Sequence, residues 1–214
     1  MISELFTANV ILGILASGIR LATPYLYAAI GETFGQRSGV LNLGVEGQML
    51  LGAFAGFYMT FTTGSPWLGL LAAILVGALM GLVMGFITVT LHAEQGISGI
   101  GIFLFGLGMS DLLFQKTIGS VETVKGFQPV HIPVLSDLPV VGEVLFQHNI
   151  MVYLAFLLVP VSWYILNKTT LGLKIRAVGE NPEAADSLGV NVKGIRYFTC
   201  ILGGALSGVA GASL

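Results

Sequence analysis

Charge is what this sequence is shortest of. Nine Lys and Arg stand against eleven Asp and Glu, so 9% of the 214 residues are charged and the formal net charge is −2. An ordinary soluble domain carries about 25% charged residues. With 55% apolar residues and a mean hydropathy of +0.89, the chain cannot cover a globule of its size with polar surface. Its solvent is therefore lipid, which excludes a soluble enzyme, a disordered protein and a secreted scaffold. The missing basic excess argues against a nucleic-acid partner. Cys200 is the single cysteine, so an intrachain disulfide and a C-x-x-C redox or metal site are excluded. No G-x-x-x-x-G-K-S/T, H-E-x-x-H or G-x-S-x-G motif occurs, and no His/Asp/Glu cluster has metal-ligand spacing. The sequence thus offers no catalytic residue, no metal site and no cofactor of its own. His92, His131 and His148 read as solvated loop residues.

Long apolar runs are what is present. Six can be read, at residues 5–30, 43–62, 67–91, 97–114, 150–166 and 197–214. A helix needs about 20 apolar residues to cross a bilayer, whereas a barrel strand alternates over about ten. The expected fold is therefore all-α: one polytopic transmembrane bundle over residues 1–214 with about six spans. No secretory leader is evident at the start. The sixth run ends without a polar residue to close it, which predicts further spans beyond residue 214. Basic residues set the orientation. Arg37 and the loop 167–196, with Lys168, Lys174, Arg176, Lys193 and Arg196, fall on one side, and Lys116 and Lys125 in loop 115–149 on the other. The loop 167–196 is expected to be cytoplasmic and the loop 115–149, with Pro129, Pro133 and Pro139, external.

Two places break the apolar pattern. Residues 31–47 carry five glycines with Glu32, Arg37, Asn42 and Glu46. Glycine permits non-helical backbone, and irregular backbone at membrane depth survives only inside protein or beside a wet cavity. A broken or re-entrant element lining a transport path is one reading, with Asn42 and Glu46 at the path; an ordinary capped turn is the other. Ser98 and Phe103, with Phe105, could add polar and stacking groups to such a path. Arg20 falls inside the first run, where an arginine costs about 2.5–3.5 kcal/mol unless it snorkels, pairs or faces water. Pro24 is expected to kink the helix there. Gly77, Gly81 and Gly85, four apart, should line one helix face and let a neighbouring backbone approach.

The second place is the stretch 181–189. Asn181 suits an N-cap, Pro182 the first helical position, Glu183 the first turn and Gly189 the exit. A two-turn helix is not stable alone in water, so outside support is expected, with Ala184, Ala185 and Leu188 offered for packing.

Here the residues resemble a known family. Glu183-Ala-Ala-Asp-Ser-Leu-Gly189 resembles the EAA-x3-G motif of bacterial ABC-importer permeases. The stretch from Thr170 through Ala185 is similar to the inner loop of the ribose/branched-chain amino acid permease superfamily. Gly39-Val-Leu-Asn-Leu-Gly-Val-Glu-Gly-Gln-Met-Leu-Leu-Gly52 resembles its other signature, in the form of the nucleoside and simple-sugar branch. The Leu-Pro that continues the wider motif has no counterpart after Tyr197. The resemblance implies a permease of a prokaryotic inner membrane that imports nucleosides, with simple sugars as the alternative. It implies two permease subunits, an external solute-binding protein, and separate ATPase subunits that hold ATP and magnesium. Glu183, Ala184, Ala185, Leu188 and Gly189 would couple the chain to the ATPase. An ion-coupled secondary transporter, with Glu46 and Asp111 as its acids, and a structural membrane subunit remain open on residues alone.

Overall fold

A computed structural model describes residues 8–119, 123–124, 126–129 and 144–214. Every regular element among them is a helix, apart from one isolated bridge between Pro129 and Asn149. The helices are α1 (Ala8–Arg37), α2 (Val45–Thr63), α3 (Pro66–Gly85) continued by a π-helical turn (Phe86–Thr90), and α4 (Gln95–Thr117). Then follow α5 (Ile150–Lys168), α6 (Thr170–Glu180), α7 (Pro182–Ser187) and α8 (Val192–Ala212). Most of the expected external loop, including Pro133, Pro139 and His131, lies outside the described residues.

Five of these helices, α1, α3 with its π turn, α4, α5 and α8, are long and apolar enough to cross a membrane. The expected second span, α2, has 19 residues but is not among them. Its composition fits its place: α2 packs against α3, α4 and α8, so its Gly47, Gln48, Gly52 and Gly56 face protein and are buried.

The centre is built from close backbone approach. A Cβ at Gly77 would stand 2.8 Å from Gly208 N, and one at Gly204 would stand 2.7 Å from Gly81 Cα. A Cβ at Gly85 would lie 3.1 Å from the Tyr197 ring. The expected glycine face is thus the contact of α3 with α8. From the other side, a Cβ at Gly52 would lie 2.7 Å from Gly208 Cα, so α2, α3 and α8 converge on one glycine. In this apolar solvent such van der Waals packing replaces the hydrophobic effect as the force between helices. Larger side chains close the α1–α5 side. Tyr27 and Ala28 pack with Met49, Met151 and Ala155, and the Tyr27 hydroxyl donates to Met151 O at 2.6 Å.

Several boundaries differ from those expected. The first helix continues from Ile30 to Arg37, because Gly31 packs on Gly203 and Phe34 is 3% exposed against Leu166 and Ile175. The polar residues there punctuate a buried helix face. The break shrinks to residues 38–44. Pro24 is buried within α1, which runs on as one helix; Arg20 is exposed. Loop 167–196 is largely helical: Thr169 caps α6 by accepting from Gly172 N at 3.2 Å, and Ile175 and Val178 are fully buried along one face. The last helix starts at Val192, five residues before the expected 197, with Asn191 as its cap.

Candidate functional site

Residues 181–189 take the expected local form. Asn181 Oδ1 accepts from Ala184 N at 2.9 Å, Pro182 opens the helix, and Glu183 lies in its first turn. Gly189 has φ +81° and ends it, with Gly189 N donating to Asp186 O at 2.8 Å. The side chains do not all point outward. Ala185 is 2% exposed, against this chain's own bundle, whereas Leu188 is 84% exposed and Glu183 and Ala184 are exposed beside it. A cavity of about 400 Å³ lies next to α7, bordered by Val89, His92, Glu183, Asp186, Lys193 and Arg196. Leu188 is thus an open apolar side chain on a short helix beside a cavity.

The break after α1 lies at the same end of the bundle and is tied to this unit. Ser38 Oγ and Thr199 Oγ1 are 2.8 Å apart, both residues fully buried, and Arg196 Nε donates to Ser38 O at 3.3 Å. Gly179, near the end of α6, packs on the backbone of Arg37 and Gly39; a Cβ there would lie 3.2 Å from Gly39 N. Gly39 itself has φ +82°, a conformation that suits glycine. From α4, Gln95 donates to Gly39 O at 3.2 Å and accepts from Leu41 N at 2.8 Å. Arg196, Gly179 and Gln95 thus hold the turn through its backbone, and Thr199 through the Ser38 side chain.

Beyond Leu41 the turn folds back into the bundle. Asn42 N donates to Glu32 Oε1 at 3.0 Å, Asn42 Nδ2 to Gln48 Oε1 at 3.2 Å, and Gly44 N to Asn42 Oδ1 at 2.9 Å. Gly44, the N-cap of α2, is not helical (φ −89°, ψ 8°) and is buried beside Gly99 and Ile102 of α4. Ile102 is seven residues into α4 from Gln95, about 10 Å along the axis. The start of α2 is therefore recessed inside the bundle. Gln48 is fully buried and its Nε2 has no hydrogen-bond partner among the described residues.

Of the four residues expected at a path, Asn42 is half-buried in this network. Glu46 is exposed in the first turn of α2, where the helix dipole favours its charge. Ser98 Oγ donates to Glu94 O at 2.6 Å. Phe103 is half-buried and meets Gly47 through its backbone. They are neighbours, but they do not converge on one cavity. Glu32, Gln48 and Gln95 do the joining, and the sequence does not mark them for it, because an isolated amide or acid carries no spacing signal. Glu94 caps α4 by accepting from Gly96 N at 2.9 Å and from Ile97 N, and these bonds hold its carboxyl below the usual carboxylate range.

Towards the other end, α2 and α4 enclose a shallow groove of about 660 Å³. Leu50, Phe54 and Phe57 line it from α2, and Leu107, Asp111 and Phe114 from α4. The Phe57 and Phe114 rings are 6.1 Å apart. Gln115 Nε2 donates to Asp111 Oδ2 at 2.8 Å, and Asp111 has no other partner among the described residues. No group of three His, Cys, Asp or Glu placed to hold a metal occurs among the described residues.

Residues 14–214 match the family described as branched-chain amino acid transport system / permease component. The chain is 42% identical to a putative glucose ABC transporter permease, TsgC13 of Haloferax volcanii, over 94% of this chain and 62% of that protein. It is 38% identical to the guanosine ABC transporter permease NupQ of Bacillus subtilis, over 89% of this chain and 63% of the relative. It is 36% identical to the nucleoside ABC transporter permease NupC of Lactococcus lactis subsp. cremoris, over 93% and 66% respectively. The chain therefore spans a little under two thirds of the length of these relatives. No solved structure matches it. Its apolar helices and these likenesses make it a multi-pass protein of a prokaryotic cell membrane.

Proposed function

The chain belongs to the branched-chain amino acid transport permease family, and from that membership we propose that it is the membrane-spanning part of an ATP-driven nucleoside importer. The observation that carries this reading is α7, capped at Asn181, closed at Gly189 and presenting Leu188 at 84% exposure. Leu188 and Ala184 dock into a groove of a separate ATPase subunit, which binds ATP and magnesium. Ala185 anchors the helix to its own bundle. Movement of α7 passes along α6 to Gly179, and from there, together with Arg196, to the backbone of Gly39 and Ser38. The turn 38–44 then shifts the recessed start of α2. A second permease subunit completes the pathway, and an external solute-binding protein delivers the substrate. The end bearing Arg37, Lys168 and Arg176 is cytoplasmic, in keeping with the basic-residue bias.

Two of the relatives are named for guanosine or nucleoside transport, and the α2–α4 groove has chemistry suited to such a substrate. Its volume lies in the range of small-molecule sites, Phe54, Phe57 and Phe114 offer faces for a base, and Asp111 offers acceptor oxygens for ribose hydroxyls. The test is uptake by the full-length permease with its ATPase and binding protein, comparing labelled guanosine with its 2′,3′-dideoxy analogue. Asp111→Asn should cut guanosine transport about tenfold while changing transport of the analogue little, since charge-assisted hydrogen bonds to the diol are lost only for guanosine. Equal effects on both would remove Asp111 from substrate contact. Uptake that survives an ATPase-dead partner but collapses with an ionophore would replace the importer with an ion-coupled carrier. A sugar is the second reading, favoured by the relative named for glucose; uptake of glucose and not guanosine would establish it.

A further inference from the structure

A cavity of about 260 Å³ lies between α1, α5 and α6 at the basic end of the bundle. We propose that it is a binding site for the headgroup of an anionic phospholipid in the leaflet at that end. Arg37, from the last turn of α1, and Arg176, from α6, both border it, and no carboxylate does. Arg176 is half-buried, and its Nε is buried with no hydrogen-bond partner among the described residues. A buried guanidinium nitrogen without an acceptor is costly, and a phosphate oxygen supplies that acceptor in the geometry arginine prefers. Neither arginine has another partner among the described residues, so both charges are available to one ligand.

The shape of the cavity favours a lipid over a free anion. Its apolar wall is Ile30 and Leu166, both buried, with the exposed Val159 beside them on the outer face of α5. Arg37 stands in the last turn of α1 and Arg176 midway along α6, both on the basic side of the cavity, so one wall suits an acyl chain and the other a phosphate. Trp163, 57% exposed, borders the same opening, and Lys168 Nζ lies 5.8 Å from its ring centroid. Tryptophan and basic residues at a helix end mark the membrane–water interface, and basic pockets between helices there take lipid headgroups.

The experiment uses the full-length permease in its complex, placed in nanodiscs of phosphatidylcholine with or without phosphatidylglycerol. Lipid kept through purification is counted by native mass spectrometry. The unaltered protein should keep phosphatidylglycerol, and Arg37→Gln and Arg176→Gln should each lower the amount kept about fivefold. Lys174→Gln removes an exposed charge from the same helix outside the cavity and should change nothing. Millimolar inorganic phosphate should not displace the lipid. Equal retention in the Arg37→Gln protein, or an equal loss with Lys174→Gln, would overturn the proposal, and release by inorganic phosphate would make the cavity a free-anion site. Should Arg176→Gln lower the folded yield, the exposed Arg37 decides the question.

Discussion

The seam between α3 and α8 and the short helix α7 both depend on glycine, and they use it in opposite ways. At the seam, Gly77, Gly81, Gly204 and Gly208 have helical neighbours on every side, and a methyl group would enter another backbone. At α7, Gly189 has nothing within 4 Å of where its Cβ would stand, yet its φ is +81°. One region needs the missing volume and the other the missing chirality. A substitution that adds volume should therefore wreck the first, and at the second only the backbone penalty should count.

The largest expected effect is at the seam. Gly77→Ala would place its methyl 2.8 Å from Gly208 N, inside van der Waals contact with backbone that cannot rotate away. Overpacking of this kind costs about 3 kcal/mol, a large part of the stability of a domain. Purified protein should lose folded yield and thermal stability. Gly101→Ala in α4 is the matched control, because nothing lies within 4 Å of that position. It should leave stability unchanged or raise it by up to about 1 kcal/mol. Similar losses at both positions would mean that the seam is looser than its glycines imply.

The next effect divides α7 itself. Ala185 is 2% exposed and Leu188 84%, so the same arginine should act on different properties at the two positions. Ala185→Arg puts a charge and bulk into the bundle and should cost about 3 kcal/mol, read as a drop in folded permease. Leu188→Arg should leave the folded amount unchanged and abolish uptake together with ATP hydrolysis stimulated by the binding protein. If Leu188→Arg transports normally in an assembled complex, α7 is not the docking element.

How much of this was readable follows from where each signal resides. The α7 caps are local chemistry: Asn181, Pro182 and Gly189 each favour one backbone state whatever surrounds them, and all three stand where expected. The apolar spans are likewise set by solvent, and the glycine triple by period. The direction in which Ala185 faces is not local, since it depends on the placement of α6 and α8 around it. Residues 31–37 look like loop because Glu32, Thr33, Gln36 and Arg37 are polar, yet Phe34 and Gly31 dock that turn and keep it helical. The helix at 170–180 did leave a trace in Leu171, Ile175 and Val178, which recur at helical spacing. Glu32 and Asn42 stand out in residues 31–47 as polar residues in an apolar chain, but their pairing with each other and with Gln48 leaves no trace, because the three come together only once α2 is recessed.

The smallest effect belongs to Gly189. Its left-handed backbone lets Val190 N reach back to Ala185 O at 3.0 Å, which closes α7 and turns the chain towards the Asn191 cap of α8. An L-residue in this conformation costs about 1–2 kcal/mol, and Gly189→Ala meets no neighbour, so that penalty is the whole of its effect. Because Ala185 stays anchored, the bundle should unfold at nearly the same temperature. The helix exit should loosen, and Leu188 with it. Uptake should fall severalfold at normal membrane levels, and Gly189→Asn should restore part of it, since asparagine tolerates the left-handed region better than alanine. If Gly189→Ala and Gly189→Asn transport equally poorly, what Gly189 contributes is open space for a partner, and its backbone conformation is incidental.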